Sequence, residues 1–366
     1  MSNLATLFIV MIMLLSQFCG SAWAEHSDTQ TENANLKKRI DRLEKHDIVH
    51  PQQPFSLVNG QSSLSLTGLV EMEGSYEKIE GGHDSSDLAL ATVELGIEAS
   101  LNERVHAHML MLWEDGEDGV TIDEAVISLT APRPILGNEL TLHAGRLYLP
   151  FGNFNTNMIS DGLTLDLAET SDSALVLEFS CDKMISKLAV FNGDTDSDGN
   201  NDHVDSWVAA IELHPHPALT MGASYMNDLA EGDIELVGDS SLYLHDVPAA
   251  GAYLNLAVGE WSFDAEVISA LRHFDATTGV GGEDLSGDQP CAWTVELGWQ
   301  PTRDLLLATR YEQAEDFQDD AVRYGLTASY TLYDQVMLAV EYLHSDAKGD
   351  EGVPTHIGTA QLALSF

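Results

Sequence analysis

The sequence predicts an all-β protein: a 16-stranded antiparallel transmembrane β-barrel preceded by a short periplasmic helix. Three observations support this fold class. From about Ser62 onwards, apolar and polar residues alternate in sixteen segments of roughly nine to twelve residues, which is the length that a tilted membrane strand needs. Short turns alternate with long polar loops, an arrangement that a soluble β-sandwich has no reason to adopt. The last segment also alternates, with Leu362, Leu364 and Phe366 on one face.

The first 24 residues carry the features of an export signal. They contain no charged side chain, Leu4 to Leu15 is an almost unbroken apolar run, and Ala22-Trp23-Ala24 has the small-x-small form of a signal-peptidase site. Such a run is too short to span a bilayer as a helix, so it indicates a cleaved signal peptide. The mature chain is therefore expected in the outer membrane of a Gram-negative bacterium.

Residues 25–58 form a polar segment that is expected to lie in the periplasm, ahead of a barrel over 59–366. Within it, 33–46 is predicted to be a helix, because Leu36, Ile40 and Leu43 follow the four-then-three spacing of a coiled-coil seam. Two heptads are marginal alone. The helix is therefore either a solvated stub or part of a short trimeric coiled coil, and a homotrimer is one expected assembly.

The alternation assigns each strand a lipid face and a lumen face. In the segment 293–299, Trp293, Val295, Leu297 and Trp299 are predicted to face lipid, and Glu296 is predicted to face inward. Aromatic residues near strand ends match the girdles of membrane barrels. The strands are expected to begin near Ser63, Leu88, Val105, Ile122, Leu140, Ala174, Ser186, Trp207, Leu219, Gly251, Trp261, Ala292, Leu305, Val322, Val336 and His356.

The same alternation, carried around all sixteen strands, predicts an acidic lumen. Eleven acidic residues fall on the lumen face against four basic ones, in a chain whose net charge is −43. Such a channel attracts cations, excludes anions and repels nucleic acid, which argues against a phosphate-selective pore. The predicted pore-lining residues are Glu71, Glu73, Glu94, Glu98, His106, His108, Glu124, Arg146, Lys187, Glu212, Asp264, Glu266, Glu296, Arg310, Glu312, Arg323 and Glu341.

The third long loop, 153–171, is predicted to fold into the channel and narrow it. The alternative is a loop that only caps the mouth. The loop follows a strand whose parity slips near Gly145, as a β-bulge would cause, and Pro150 and Gly152 then turn the chain. The expected constriction residues are Asn153, Phe154, Thr156, Ser160 and Asp161.

The same region carries a family resemblance, in the motif Gly145-Arg146-x-Tyr148-x-Pro150-Phe151-Gly152-x-Phe154-x-Thr156-x-Met158-Ile159-Ser160-Asp161-x-x-Thr164, followed by Phe191-Asn192-Gly193-Asp194. This pattern resembles the LbtU-like siderophore porins, although Gly162 stands where a proline is expected. The resemblance implies an outer-membrane barrel without a plug domain, associated with ferric-siderophore uptake. The terminal strand ending in Phe366 resembles the recognition strand of such barrels, which implies the barrel assembly machinery as a partner.

The fourth long loop matches the spacing of an EF-hand calcium loop, with acidic residues at its first, third, fifth, ninth and twelfth positions. The possible calcium ligands are Asp194, Asp196, Asp198, Asn200, Asp202 and Asp205. The twelfth ligand is Asp rather than Glu and no helices flank the loop, so a solvated acidic loop is the alternative.

No catalytic residues and no required cofactor are predicted, because no nucleophile–base motif is present. The function expected from the sequence is passive, cation-preferring passage across the outer membrane, with a ferric siderophore as the cargo that the resemblance implies. A general cation-selective channel without a siderophore role and a non-transport adhesive or structural barrel are the alternatives. Cys181 and Cys291 are expected at opposite rims of the barrel, too far apart for a disulfide.

Overall fold

The structure, a computed structural model, describes residues 55–59, 62–116, 119–135, 137–193, 195, 203–238, 243–275, 285–347 and 353–366. The predicted signal peptide, the predicted helix at 33–46 and most of the predicted calcium loop lie outside these residues. None of the helices among the described residues has the length and apolar character needed to cross a bilayer.

Sixteen antiparallel strands form the closed wall of the barrel, and a short strand, β1, precedes them. Each barrel strand pairs with the next, and β17 pairs with β2 from Thr355 opposite Ile79 to Ser365 opposite Leu69. The predicted 16-stranded all-β barrel is thus confirmed. The strands are β1 (Phe55–Asn59), β2 (Ser62–Ile79), β3 (Ser85–Asn102), β4 (Val105–Glu114), β5 (Thr121–Thr130), β6 (Glu139–Tyr148), β7 (Ser171–Cys181), β8 (Met184–Phe191), β9 (Ser206–His216), β10 (Leu219–Met226), β11 (Ala249–Val258), β12 (Trp261–Ala270), β13 (Cys291–Trp299), β14 (Leu305–Glu315), β15 (Val322–Tyr333), β16 (Val336–Asp346) and β17 (Thr355–Ser365).

The connections have the predicted alternation of lengths. Two-residue turns at 103–104, 182–183, 217–218, 259–260 and 334–335 close one end of the barrel. The long connections 149–170, 227–248 and 271–290 lie at the other end. In bacterial barrels the short turns face the periplasm, so the long-loop end is the extracellular end. One helix of six residues, α1 (Leu163–Ala168), lies within the loop 149–170.

The seam between the first and last barrel strands is closed by Phe366. Its N–H donates to the Gly68 carbonyl at 3.0 Å, and the Gly68 N–H donates back to the Phe366 carbonyl at 2.9 Å. A Cβ on Gly68 would lie 2.3 Å from the Phe366 ring, so the ring needs a glycine below it. The Phe366 ring therefore lies directly on the backbone of Gly68 at the periplasmic end of the seam.

The outer surface of the barrel is apolar and carries aromatic pairs at both ends. At the periplasmic end Trp261 stacks on Trp299 with ring centroids 5.5 Å apart, and at the extracellular end Trp293 contacts Tyr311 at 5.5 Å. Leu297, between these levels, is exposed on the same face. This apolar surface with aromatic ends is what a lipid-facing wall requires.

The main apolar core lies inside the barrel rather than between two layers. Leu163 and Leu167 of α1 are fully buried, as is Leu229 of the loop 227–248. They pack against small inward-facing residues near the extracellular ends of β11–β14, where Ala292 pairs with Ala314 in the sheet register. Because alanine leaves volume free within the lumen, two loops can fill the extracellular half of the barrel.

Candidate functional site

The loop 149–170 enters the barrel through a tight turn after β6. Gly152 has φ +85° and Phe154 has φ +54°, and a Cβ on Gly152 would lie 2.3 Å from the Phe154 ring. The Gly152 N–H donates to Ser224 Oγ at 3.1 Å, which fixes the turn against β10. A left-handed glycine covered by an aromatic ring leaves no room for a side chain at position 152.

Two carboxylates on β12 and β13 hold the first half of the loop. Glu266 accepts hydrogen bonds from the N–H groups of Asn153 (2.6 Å) and Phe154 (2.9 Å). Glu296 accepts from Thr156 Oγ1 at 2.7 Å and from the backbone N–H and side-chain amide of Asn157 at 2.7 and 2.6 Å. Both carboxylates thus satisfy loop N–H groups that have no strand partner.

Two further carboxylates hold the second half. Glu341 on β16 accepts from the N–H of Ile159 at 2.5 Å and of Ser160 at 3.3 Å. Glu312 on β14 accepts from the N–H of Leu163 at 2.9 Å. Leu163 is the first residue of α1, and its N-cap residue makes no side-chain capping bond, so Glu312 takes the place of a cap.

Arg310 lies at the centre of these contacts. One terminal nitrogen donates to Thr156 Oγ1 (3.1 Å) and the Ser160 carbonyl (2.7 Å). The other donates to Ser160 Oγ (2.9 Å) and the Asp161 carbonyl (2.8 Å), and it forms an ion pair with Glu312 at 3.3 Å. The side chains of Arg310 and Glu312 are both 0% exposed. Charges buried this deeply are tolerated only when they are paired and largely hydrogen-bonded. Here the ion pair and the four hydrogen bonds from the terminal nitrogens of Arg310 provide this, and Arg310 Nε and Glu312 Oε1 make no hydrogen bond with the described residues.

The helix α1 is held on its exposed side by a second arginine. Arg323 on β15 forms an ion pair with Asp166 at 3.2 Å, and Gln318 donates to the same Asp166 oxygen at 3.1 Å. The loop thus lies along the inner wall formed by β12–β16, on the opposite side of the lumen from the strands that it connects.

Five predicted pore-lining residues, Glu266, Glu296, Arg310, Glu312 and Glu341, face inward but hold the loop. Glu296 and Glu312 are 0% exposed, because the loop covers them. Four of the eleven acidic residues predicted on the lumen face, Glu266, Glu296, Glu312 and Glu341, therefore hold the loop.

The wall β2–β5, which follows β17 around the barrel, carries the open acidic surface. The register places Glu71, Glu73, Glu94, Glu98 and Glu124 on its inner face. The residues His106 and His108 share that face, with His106 contacting Ser100 at 2.9 Å and His108 contacting Glu124 at 3.7 Å. Gln361 of β17 donates to Glu73 at 2.8 Å.

A water-accessible cavity of about 330 Å³ lies against this wall. Glu73, Asp87, Glu114 and Asp115 line it. The sequence analysis missed Asp87 because the register shifts between Glu71 and Met72, and strict alternation along β3 fails beyond such a bulge. Glu114 keeps the regular alternation of His106 and His108 and was missed as the last residue of β4. A β-bulge is recognised from the pairing of two strands, so the sequence of one strand alone does not reveal it.

The remaining predicted lumen residues lie on β6–β12. Lys187 is 3.5 Å from Glu178, which also contacts His143 at 3.7 Å. Glu212 is 2.9 Å from His214, and Asp264 accepts from Asn255 at 2.7 Å. The prediction that Arg146 lines the pore is wrong, because Arg146 pairs with Ala125 and Ser173, on the outer face that also carries the exposed Ile127 and Leu175. The register runs through Gly145 without a shift, so the predicted β-bulge that would have turned Arg146 inward is not formed there.

The loop contributes its own acids to the channel. Burial raises the pKa of Asp161, the charges of Asp166 and Glu73 raise it further, and Arg310 opposes the shift. Burial and the nearby Asp233 raise the pKa of Glu169 to about 7.

Asp205 is the one predicted calcium ligand that the structure describes, whereas Asp194, Asp196, Asp198, Asn200 and Asp202 lie outside the described residues. Among the residues that the structure describes, no group of three or more His, Cys, Asp or Glu is placed to hold a metal ion.

Comparison by sequence finds distant relatives of this chain. No family model matches the chain. A UPF0422 protein of Coxiella burnetii is 22% identical over 297 residues, which cover 76% of this chain and 63% of that protein. A UPF0422 protein of Legionella pneumophila is 26% identical over 137 residues, 36% of this chain and 26% of that protein. The chain thus spans less than two thirds of the length of these relatives.

Solved structures with the same architecture are outer-membrane proteins. The outer membrane channel DcaP of Acinetobacter baumannii superposes with a TM-score of 0.63 at 13% identity, covering 84% of this chain and 99% of DcaP. OmpF of Salmonella typhi superposes with a TM-score of 0.59 at 12% identity, covering 85% of this chain and 100% of OmpF. At such identities the likeness concerns the fold, which is that of a Gram-negative outer-membrane β-barrel.

Proposed function

We propose that the chain forms a passive, cation-preferring channel whose bore is narrowed by the loop 149–170. The observation that carries this proposal is the distribution of charge around the lumen. The loop and its anchoring residues occupy the β12–β16 wall, and the β2–β5 wall, which the loop leaves uncovered, presents Glu71, Glu73, Glu94 and Glu98. Permeating ions therefore pass between the loop and a wall of carboxylates.

The cationic side chains predicted for the lumen support the same polarity. Arg310 is paired with Glu312, Arg323 with Asp166, and Lys187 with Glu178. Each of these charges is compensated locally, so the field in the lumen is set by the acids of the open wall. A negative potential in a narrow, low-dielectric channel raises the local concentration of cations and lowers that of anions.

Ion selectivity in planar bilayers tests this proposal. With a KCl gradient across the bilayer, the reversal potential should favour potassium, more strongly at 0.1 M than at 1 M salt because screening shortens the reach of the wall charges. Replacing Glu73 and Glu94 together by Gln should lower the cation-to-anion permeability ratio on the order of twofold. Glu260→Gln, in the periplasmic turn 259–260, is the matched control and should leave the ratio unchanged. A reversal potential that favours chloride would refute the proposal.

A ferric siderophore is the cargo that we propose for this channel, on the strength of the resemblance of the 145–164 segment to LbtU-like siderophore porins. A deletion strain should lose growth when the ferric siderophore is the sole iron source, in a background without a second receptor. Growth should return with the wild-type gene. Unchanged growth of the deletion strain, combined with cation selectivity in bilayers, would instead support a general cation-selective channel. Absence of conductance would favour an adhesive or structural barrel.

A further inference from the structure

Three histidines on the inner face of the barrel each direct the Nε2 atom of the ring towards a glutamate. The distances from Nε2 to the carboxylate oxygen are 3.7 Å for His108 and Glu124, 3.7 Å for His143 and Glu178, and 2.9 Å for His214 and Glu212. We call these the histidine–glutamate pairs. Their side chains are between 21% and 37% exposed, so the pairs are partly open to the lumen.

Hydroxyl groups of neighbouring strands orient two of these rings. Ser128 Oγ is 2.9 Å from His143 Nδ1, and Thr220 Oγ1 is 3.2 Å from His214 Nδ1. When Nδ1–H donates to the hydroxyl oxygen, the lone pair of Nε2 points at the carboxylate. In metal sites the second ring nitrogen of a ligating histidine is held by a hydrogen bond in the same way, which fixes the ring and its tautomer. These two rings therefore have the orientation of metal-ligating histidines.

The space between each imidazole and its carboxylate fits one metal ion. A zinc ion lies about 2.0–2.1 Å from an imidazole nitrogen and about 2.0–2.2 Å from a carboxylate oxygen. The two bonds together are slightly longer than the 3.7 Å of the two wider pairs, so one ion can bond to both atoms. Two ligands at a right angle around such an ion are about 2.9 Å apart, which is the separation in the third pair.

The ligand types favour a particular class of ion. Imidazole and carboxylate together suit zinc and similar divalent transition-metal ions, whereas magnesium and calcium prefer oxygen ligands alone. No three such side chains converge in the part of the chain that the structure describes, so each pair supplies two ligands and water supplies the others. Binding is therefore weak, which a permeating ion requires because it must also leave.

The pair of His108 and Glu124 is the most favourable of the three. His108 Nε2 is buried and makes no hydrogen bond with the described residues. A cation between this nitrogen and the carboxylate would give a partner to a polar atom that has none. Glu98, which lies opposite His108 in the sheet register, adds a second negative charge.

The pair of His143 and Glu178 is less favourable. Lys187 Nζ lies 3.5 Å from the Glu178 oxygen that faces His143, and its charge opposes a second cation there. We therefore expect the His143 pair to bind a metal ion more weakly than the His108 pair.

The histidine–glutamate pairs lie towards the periplasmic exit of the channel. His108 is the fourth residue of β4, Thr220 is the second residue of β10, and Glu178 lies three residues before the end of β7. These strand ends meet the short periplasmic turns, and the loops fill the extracellular half of the barrel. A cation that has passed the loop 149–170 therefore meets the pairs on its way out.

We propose that the histidine–glutamate pairs bind zinc-type divalent cations weakly while these ions pass through the channel. This inference rests on the cation-preferring channel proposed above and names a class of ion for it. The carboxylates of the β2–β5 wall concentrate cations of any kind, and the imidazoles add a preference for Zn²⁺ over Mg²⁺.

Currents through the full chain in a planar bilayer test this inference. Zn²⁺ should reduce the potassium current at about a tenfold lower concentration than Mg²⁺, which has the same charge but little preference for imidazole. Replacing His108, His143 and His214 together by Asn should raise the half-blocking concentration of Zn²⁺ to that of Mg²⁺. With ZnCl₂ on one side and KCl on the other, the reversal potential should show that Zn²⁺ carries current.

His245→Asn is the matched control, because it removes an imidazole that lies 2.7 Å from Asp275 in the extracellular loops, outside the barrel wall. It should leave the zinc block unchanged. Heat-modifiable gel migration should show that every variant is folded.

The outcomes separate this inference from the proposed function. A channel that prefers potassium to chloride but responds equally to Zn²⁺ and Mg²⁺ would overturn the inference alone. A reversal potential that favours chloride would overturn both. A zinc block that persists in the triple variant would assign the ion to other residues, and a block without zinc current would exclude passage, so either result contradicts the inference.

Discussion

Arg310 is the residue on which the contacts of the loop 149–170 converge. It is 1% exposed, and its guanidinium donates to atoms of Thr156, Ser160 and Asp161. Arginine is suited to this position because its planar group donates several hydrogen bonds in fixed directions. Its loss would leave the Glu312 carboxylate and two loop carbonyls buried without their partner.

We expect Arg310→Met to release the loop. Removing one partner of a buried ion pair typically costs about 3–5 kcal/mol, since the other charge stays desolvated. Single-channel conductance should rise and become noisier as the loop leaves the β12–β16 wall. Arg323→Met is the comparison: the side chains of Arg323 and Asp166 are 20% and 22% exposed, so its effect should be clearly smaller. Unchanged conductance in Arg310→Met would show that the loop does not limit the channel.

The inward direction of the anchoring residues was predictable from strand parity, but their role was not. Glu296 and Glu341 alternate with lipid-facing residues, which is enough to place them inside. Their partners Asn157 and Ile159 lie 139 and 182 residues away along the chain. No local pattern links positions so far apart, so the sequence could not distinguish an anchor from a side chain in water.

At the scale of elements, the loop 227–248 is held by one buried carboxylate. Asp228 is 2% exposed and accepts from the Ala230 N–H at 3.1 Å, the Val247 N–H at 3.2 Å and the Tyr243 hydroxyl at 2.5 Å. Burial raises the pKa of Asp228 to about 7, although these hydrogen bonds oppose the shift. The carboxyl is therefore more easily protonated in the folded loop than in the unfolded chain.

The raised pKa gives this loop a definite pH dependence. A carboxyl whose pKa is raised in the folded state stabilises the fold most at pH values below its pKa in the unfolded chain, which is near 4. This contribution to the free energy of unfolding is lost as the pH rises through the folded-state pKa of about 7. Amide-exchange protection factors over 227–248 should therefore be higher at pH 5 than at pH 8. Asp228→Asn should flatten this difference. Protection that increases with pH in the wild type would contradict the assignment.

Short elements were beyond the reach of sequence periodicity. The strand β1 has five residues and α1 has six, so neither is long enough to show a recognisable periodicity of apolar residues. Strands of ten or more residues were predicted well: β4, β12, β14, β15 and β16 begin at the predicted residues Val105, Trp261, Leu305, Val322 and Val336. Membrane strands are easier to locate because lipid on one face imposes a strict alternation.

At the scale of the whole molecule, the two cysteines test the strand order. Cys181 ends β7 beside the periplasmic turn 182–183, and Cys291 begins β13 after the extracellular loop 271–290. Both are free thiols in the structure. The rims are separated by about 25 Å, the height of the apolar band, whereas bridged cysteines have Cα atoms within about 7 Å.

Thiol labelling of the unfolded, unreduced protein should therefore modify both cysteines. Mass spectrometry of a proteolytic digest reports the result directly, and a reduced sample gives the reference level of labelling. A peptide crosslinked through Cys181 and Cys291 would mean that the order of strands around the barrel is wrong.

The anchors of the loop 149–170 also determine when the channel acquires its final bore. The loop precedes its partners in the chain: Asn153 binds Glu266, Thr156 binds Glu296, and Ile159 binds Glu341, at separations of 113, 140 and 182 residues. Contacts so distant form late in folding, because long chain segments must first be closed. Loop docking is therefore a late event, possible only once β16 is in place beside its neighbours. In a barrel that lacks its last strands, this loop would have no complete set of anchors and would stay undocked. The lumen is therefore narrowed only when assembly of the barrel is nearly complete.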